Sequence, residues 1–99
     1  MKLSWTETAS ADALSIYAYI AERSPSYADA VYERILIRPQ RLTSFPMSGS
    51  VVLEFGRSDV REVFVHSFRI IYIVLPDEIR ILTVIHGARI LTFIPPDSA

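Results

Sequence analysis

The stretch VREVFVHSFRIIYIVLPDEIRILTVIHGAR, residues 60–89, decides the fold of this chain. It contains three apolar runs, Val60–Val65, Phe68–Leu75 and Ile79–Ile85, which are separated by short connections. Valine, isoleucine, phenylalanine and tyrosine dominate these runs, and such side chains suit the pleated surface of a sheet. Connections of roughly two or three residues join neighbouring strands antiparallel. The stretch therefore predicts a three-stranded antiparallel meander.

Both faces of this predicted sheet are apolar. In the middle strand, Ile71 and Ile73 point to one face. Their neighbours Ile70 and Tyr72 point to the other, whereas an antiparallel sheet with one solvated face alternates apolar with polar residues. Arg69 interrupts the pattern, and a buried arginine needs a charged partner or a route to solvent. We therefore expect helices of the chain to cover one face and a second polypeptide to cover the other.

The composition narrows the class of protein. The chain has 99 residues, 51% of them hydrophobic, and no cysteine, which excludes disulfides and thiolate metal sites. This length fits a single domain, residues 1–99. No apolar run reaches the ~18 residues of a membrane span, and residues 1–14 lack the apolar block of a signal peptide, which predicts a cytoplasmic protein without membrane contact. The formal net charge of −1 favours a protein target over sequence-specific nucleic-acid binding.

A short strand and a helix are predicted at the N-terminus. Lys2–Trp5 has the character of a strand, and Thr6 or Thr8 is placed to cap the helix that follows. From Ala9 to about Arg23, apolar residues recur at helical spacing. This segment therefore predicts an amphipathic first helix.

A second helix is predicted after a short break in the pattern. Pro25 fits the first turn of a helix, and Ser26 followed by Asp29 resembles a capping box. Pro39 removes a backbone hydrogen bond, so we expect a kink near residues 35–39 or a helix that stops and restarts. Because the break is short, the two helices should form an antiparallel hairpin.

The remaining segments are short. Residues 51–55 predict an extended segment, residues 56–59 a mobile polar loop, and residues 90–94 an extended or coiled stretch that ends at Pro95-Pro96. The predicted fold class is α+β, with a short N-terminal strand and an antiparallel helical hairpin packed on an antiparallel β-meander.

Four motifs follow one another along the chain. They are Trp5-Thr6 with Ala9, Asp12, Ile16 and Tyr19-Ile20; Leu42-x-x-x-Pro46-x-x-Gly49; Val60-Arg61-Glu62 with Phe68-Arg69-Ile70-Ile71-Tyr72; and Ile81-Leu82-x-Val84-x-His86-Gly87-x-Arg89. In this order they resemble the ParE/RelE toxin family of bacterial toxin–antitoxin (plasmid stabilisation) modules over nearly the whole chain. The resemblance implies a small toxin that a cognate antitoxin, ParD-like or of another class, neutralises. RelE-like members cleave messenger RNA in the ribosome, and ParE-like members inhibit DNA gyrase.

The two branches need different residues. RNA cleavage needs a base, an acid and cations for the developing charge, and RelE-like nucleases use lysines before the arginine–tyrosine strand and often a C-terminal tyrosine. Here the corresponding strand reads Val60-Arg61-Glu62-Val63, Lys2 is the only lysine, and Phe93-Ile94-Pro95 follows Arg89. The resemblance therefore favours a ParE-like protein that binds DNA gyrase and is not an enzyme. A ribosome-dependent ribonuclease and a non-toxic, complex-forming relative remain alternatives.

Two sets of contact residues are predicted. The target-contact candidates form a cationic group at one end of the sheet: Arg61, Arg69, His86 and Arg89. For the first two, ion pairs with Glu54, Glu62 or Asp77 are the structural alternative. The antitoxin-contact candidates lie on the hairpin and on the second sheet face: Tyr17, Tyr32, Arg34, Arg38, Ile71 and Ile73. A solvated arginine face and core tyrosines are the alternative there.

Neither a metal nor a cofactor is predicted. The two histidines, His66 and His86, have no carboxylate partner at the spacing of a metal site. The chain also lacks a glycine-rich phosphate loop and a nucleotide fingerprint. The partner that the family resemblance implies besides the target is an antitoxin, which we expect to lay an amphipathic helix along the hairpin and to add extended chain against the sheet.

Overall fold

A helical hairpin packs on one face of a five-stranded sheet. The computed structural model describes residues 1–88, so the predictions for Arg89, residues 90–94 and Pro95-Pro96 lie outside the described residues. The elements are β1 (Lys2–Trp5), α1 (Glu7–Ala21), α2 (Pro25–Ile37), 3-10 helices at Arg38–Thr43 and Pro46–Ser48, β2 (Ser50–Val51), β3 (Val60–Val65), β4 (Phe68–Val74) and β5 (Glu78–His86). None of the helices among these residues has the length and apolarity to cross a membrane.

The predicted meander forms the centre of the sheet. The strand order is β1-β5-β4-β3-β2, in which β1 runs parallel to β5 and the other neighbours are antiparallel. The two-residue connection between β3 and β4 places His66 at a φ of 52°, the left-handed conformation of a tight turn. The predicted α+β fold class is confirmed.

The helix boundaries follow from capping. Thr6 caps α1, since its hydroxyl accepts from the Ala9 amide and also donates to the Leu82 carbonyl of β5, both at 3.0 Å. Ser24, and not Ser26, caps α2. The prediction of Ser26 was wrong because Pro25 occupies the first helical position, which makes the preceding residue the cap.

The proline in the second helix acts as predicted. α2 ends at Ile37, and the chain continues as the 3-10 helix Arg38–Thr43. Pro39 lies within this 3-10 helix and is buried, and its missing amide excludes a continuous α-helical ladder. The helix therefore stops and restarts, which turns the chain toward the sheet edge.

The extended segment predicted at residues 51–55 is observed only in part. Only Ser50–Val51 is strand, because the Phe55 and Gly56 amides both donate to the Val52 carbonyl at 3.1 Å and close a turn. Gly56 takes a φ of 63°, which favours glycine. In the loop that follows, Arg57 pairs with Asp59 at 2.8 Å and lowers the pKa of that carboxyl.

Both faces of the sheet are apolar, as predicted, but the chain itself covers the centre of the second face, while Phe64 on the same face stays 55% exposed. The cluster on that face consists of Val52, Val60, Ile71, Ile73, Leu75 and Leu82, with Phe55 packed against it. Ile71 and Ile73 are fully buried. The turn after β2 brings Val52 and Phe55 onto them, so their assignment as antitoxin contacts is corrected to that of core residues.

Candidate functional site

A groove of about 590 Å³ lies between the helical hairpin and the end of the sheet. One wall comes from α2 and the 3-10 helix that continues it, and carries Arg34, Arg38 and Arg41. The other wall comes from the end of β3 and the turn after it, with Phe64 and His66. The stop and restart of the second helix keeps the three arginines on one side of the groove.

The groove is electropositive. Within residues 1–88, no carboxylate lies within 4.0 Å of the guanidinium groups of Arg34, Arg38 or Arg41. Nη1 of Arg34 lies 3.5 Å from Nε2 of His66 across the groove. Glu33 is the one acidic residue that lines the groove among the described residues. Unpaired arginines of this kind attract an acidic partner and steer its approach.

Large apolar side chains rim this groove and its extension. Ile37 lines it and is 50% exposed, whereas the Phe64 ring lies beside Arg69 on the face of the sheet opposite the hairpin. A neighbouring hollow of about 290 Å³ shares Arg38 and Arg41 and extends to Phe45, which is 61% exposed. Contiguous exposed apolar residues framed by charge mark protein interaction sites.

The guanidinium group of Arg69, a target-contact candidate, is bound by carboxylates of the chain itself. Arg69 is only 6% exposed, and its guanidinium donates to Glu62 and, with both terminal nitrogens, to the Glu54 carboxylate at 2.8 and 3.0 Å. The hydrogen bonds to Glu54 raise the pKa of Arg69 further. The ion pairs that the sequence offered as the structural alternative are thus present, and a contact of Arg69 with a target stays a prediction.

Arg61, a second candidate, binds backbone carbonyls. Its Nε donates to the Ser58 carbonyl at 2.9 Å, and Nη1 donates to the carbonyls of Met47 and Gly49 at 3.2 and 2.9 Å. All of these bonds are to its own chain, and its role as a direct target contact stays a prediction. The expected carboxylate partners of Arg61 were wrong.

Tyr72, on the neighbouring strand, binds the same backbone segment, residues 46–49. Its hydroxyl donates to the Pro46 carbonyl at 2.8 Å and accepts from the Gly49 amide at 3.1 Å. Burial raises the pKa of the Tyr72 phenol, so the group stays protonated and keeps its donor at neutral pH. Tyr72 and Arg61 are paired across β4 and β3, so both anchors belong to the rigid sheet.

Gly49 is the point where this segment touches the sheet. A Cβ atom there would lie 2.7 Å from the Glu62 carbonyl and closer still to the Tyr72 hydroxyl. The motif Leu42-x-x-x-Pro46-x-x-Gly49 and the arginine–tyrosine motif of β4 are therefore two halves of one structural contact. Glycine is required here for close approach and not for a positive φ.

Gly49→Ala should lower the free energy of unfolding by about 1–3 kcal/mol, because the added methyl group must displace Tyr72 or the β3 backbone. Urea denaturation measures the change. Ser48→Ala is the matched control, since Ser48 is exposed and should stay within about 0.5 kcal/mol of the original chain. Equal midpoints for both variants would show that the segment does not pack against Tyr72 as described.

The remaining candidates lie apart from the groove lining. His86 stacks edge-on against Phe68 at 5.8 Å and accepts from the Ala88 amide, as expected for a strand-end histidine.

Tyr17 and Tyr32 meet edge-on at 5.5 Å between the two helices, and the Tyr17 hydroxyl donates to Asp29, whose carboxylate raises the pKa of Tyr17. Of the antitoxin-contact candidates, the structure brings only Arg34 and Arg38 together in the groove.

Comparisons with known proteins agree with this geometry. The family model of the ParE toxin of type II toxin–antitoxin system parDE matches residues 3–91. A solved chain described as the chromosomal ParDE TA system from P. aeruginosa superposes with a TM-score of 0.71 and 26% sequence identity, covering 87% of this chain and 95% of that one. No curated protein sequence matches the chain.

Proposed function

Since the chain belongs to the ParE toxin family of type II toxin–antitoxin systems, we propose that it inhibits DNA gyrase by binding and that its antitoxin neutralises it through the arginine-lined groove. The observation that supports inhibition by binding is the occupation of Arg61 and Arg69 by the chain's own carbonyls and carboxylates. A ribonuclease would need such cations free for the developing charge on phosphate. The chain acts in the cytoplasm, where its target works.

The groove favours an acidic, amphipathic antitoxin segment. Arg34 and Arg38 are one helical turn apart, and Arg41 follows on the 3-10 helix, so carboxylates on one face of a helix can pair with them. The apolar face of the same helix would cover Ile37 and extend to Phe45. Recognition of a helix in a groove, by a segment that orders on binding, fits this arrangement of charge and apolar surface.

Expression of the chain without antitoxin should stop growth with filamentation and accumulate DNA that is covalently held in gyrase cleavage complexes. Co-expression of the antitoxin from the same operon should restore growth. Arrest of translation before replication, with messages cut in the ribosome, would reject gyrase inhibition in favour of the ribonuclease. Harmless expression of a folded chain would support the non-toxic relative.

A further inference from the structure

Two large apolar side chains stand on a segment that the sheet holds in place. Phe45 and Met47 are 61% and 52% exposed, although both lie next to the buried end of the hairpin at Leu42. Exposure of such side chains to water is unfavourable by roughly 1.5–3 kcal/mol relative to full burial. If this segment were free to rearrange, both side chains would turn toward the core, so other contacts must keep them exposed to solvent.

Four backbone groups of this segment are fixed by two side chains. Tyr72 binds the Pro46 carbonyl and the Gly49 amide, and Arg61 binds the carbonyls of Met47 and Gly49. These bonds leave the segment few alternatives, because Gly49 also lies in close contact with β3. The outward direction of Phe45 and Met47 is thus set by groups on the sheet.

The positive charge beside this segment indicates the chemistry of the partner that covers it. Phe45 shares a hollow with Arg38 and Arg41, which carry no ion pair within the described part of the chain. A partner that covers Phe45 must therefore bring apolar groups and carboxylates side by side. An acidic amphipathic helix has both on adjacent faces.

We propose that Arg61 is a positioning residue for antitoxin binding: it holds residues 45–49 so that Phe45, in the hollow beside the groove, and the exposed Met47 present apolar side chains to the antitoxin. This inference rests on the proposed neutralisation by an antitoxin. It adds contact residues to the groove and assigns Arg61 a function through the segment that it binds.

The test uses the full chain and the purified antitoxin of its own operon. Arg61→Gln should weaken binding about tenfold or more, and the pair Phe45→Ser with Met47→Ser should do the same. The variant that combines all three changes should bind the antitoxin only slightly more weakly than Arg61→Gln alone or the double serine variant alone, because Arg61 acts through the same two side chains. Amide hydrogen exchange in the free chain should quicken at residues 45–49 in Arg61→Gln.

Asp12→Asn is the control for general loss of stability. Asp12 accepts from Thr83 and from the Val84 amide, so this change weakens the contact of α1 with β5 without touching residues 45–49. It should bind the antitoxin as the original chain does. Unchanged affinity in Arg61→Gln, or fully additive losses in the combined variant, would overturn the positioning role. Failure of the unaltered chain to bind its antitoxin would overturn the proposed neutralisation as well.

Discussion

Arg69→Met should lower the free energy of unfolding by about 3 kcal/mol, because it leaves the buried Glu62 carboxylate without its cation, while Glu54 can be solvated. Arg69 is held by Glu62 and Glu54, and the first of these is as buried as the arginine itself. Removal of a buried charge partner costs far more than loss of an exposed pair, whose value is typically below about 1 kcal/mol. Urea or guanidinium denaturation of the purified chain measures the change.

A compensated variant separates the buried charge from simple loss of packing. Arg69→Met combined with Glu62→Leu and Glu54→Gln removes the charges together, and it should recover most of the lost stability. Arg57→Met is the matched control, because the Arg57–Asp59 pair is partly exposed on a loop. A loss below about 1 kcal/mol in Arg69→Met alone would contradict the ion-paired site.

Arg38→Glu should weaken antitoxin binding by roughly 30-fold or more, equivalent to about 2 kcal/mol or more. Arg38 lines both the main groove and the hollow beside it, so a carboxylate there repels an acidic partner from the centre of the surface. The affinity of the unaltered chain should fall as salt rises, and that of the variant should depend on salt less strongly. Titration calorimetry at two salt concentrations measures both effects.

Arg23→Glu makes the same charge change outside the groove. Arg23 is exposed in the connection between α1 and α2 and does not line the groove, so its reversal should change the affinity less than about twofold. In cells, Arg38→Glu should stay toxic while escaping its antitoxin. Equal loss of affinity in the two variants would indicate attraction by overall charge and would contradict a specific groove.

The strands and helices could be predicted because local pattern determines them. Apolar runs with short turns placed β3 and β4 within one residue of their observed ends, and Pro39 marked the stop of α2. The cover of the second sheet face could not be predicted, because Val52 and Phe55 read as a strand. Their turn depends on hydrogen bonds to one carbonyl and on the positive φ of Gly56.

The candidate site was predicted in part for a similar reason. The spacing of Arg34 and Arg38 shows that they share a helix face, which local periodicity reveals. Phe45 was missed because it was predicted only as part of a turn, and its exposure beside the arginines depends on tertiary packing. Arg69 pairs with Glu62 diagonally across two strands and with Glu54 from a turn, which requires the strand register.

The proposed function is tested most directly with purified DNA gyrase and relaxed plasmid. The chain should block supercoiling in proportion to its concentration and leave DNA cleaved and bound to gyrase, and prior addition of its antitoxin should abolish both effects. The same preparation should leave messenger RNA on programmed ribosomes intact. Unimpaired supercoiling at a large excess of folded chain, together with cut messenger RNA, would contradict a toxin that works by binding gyrase.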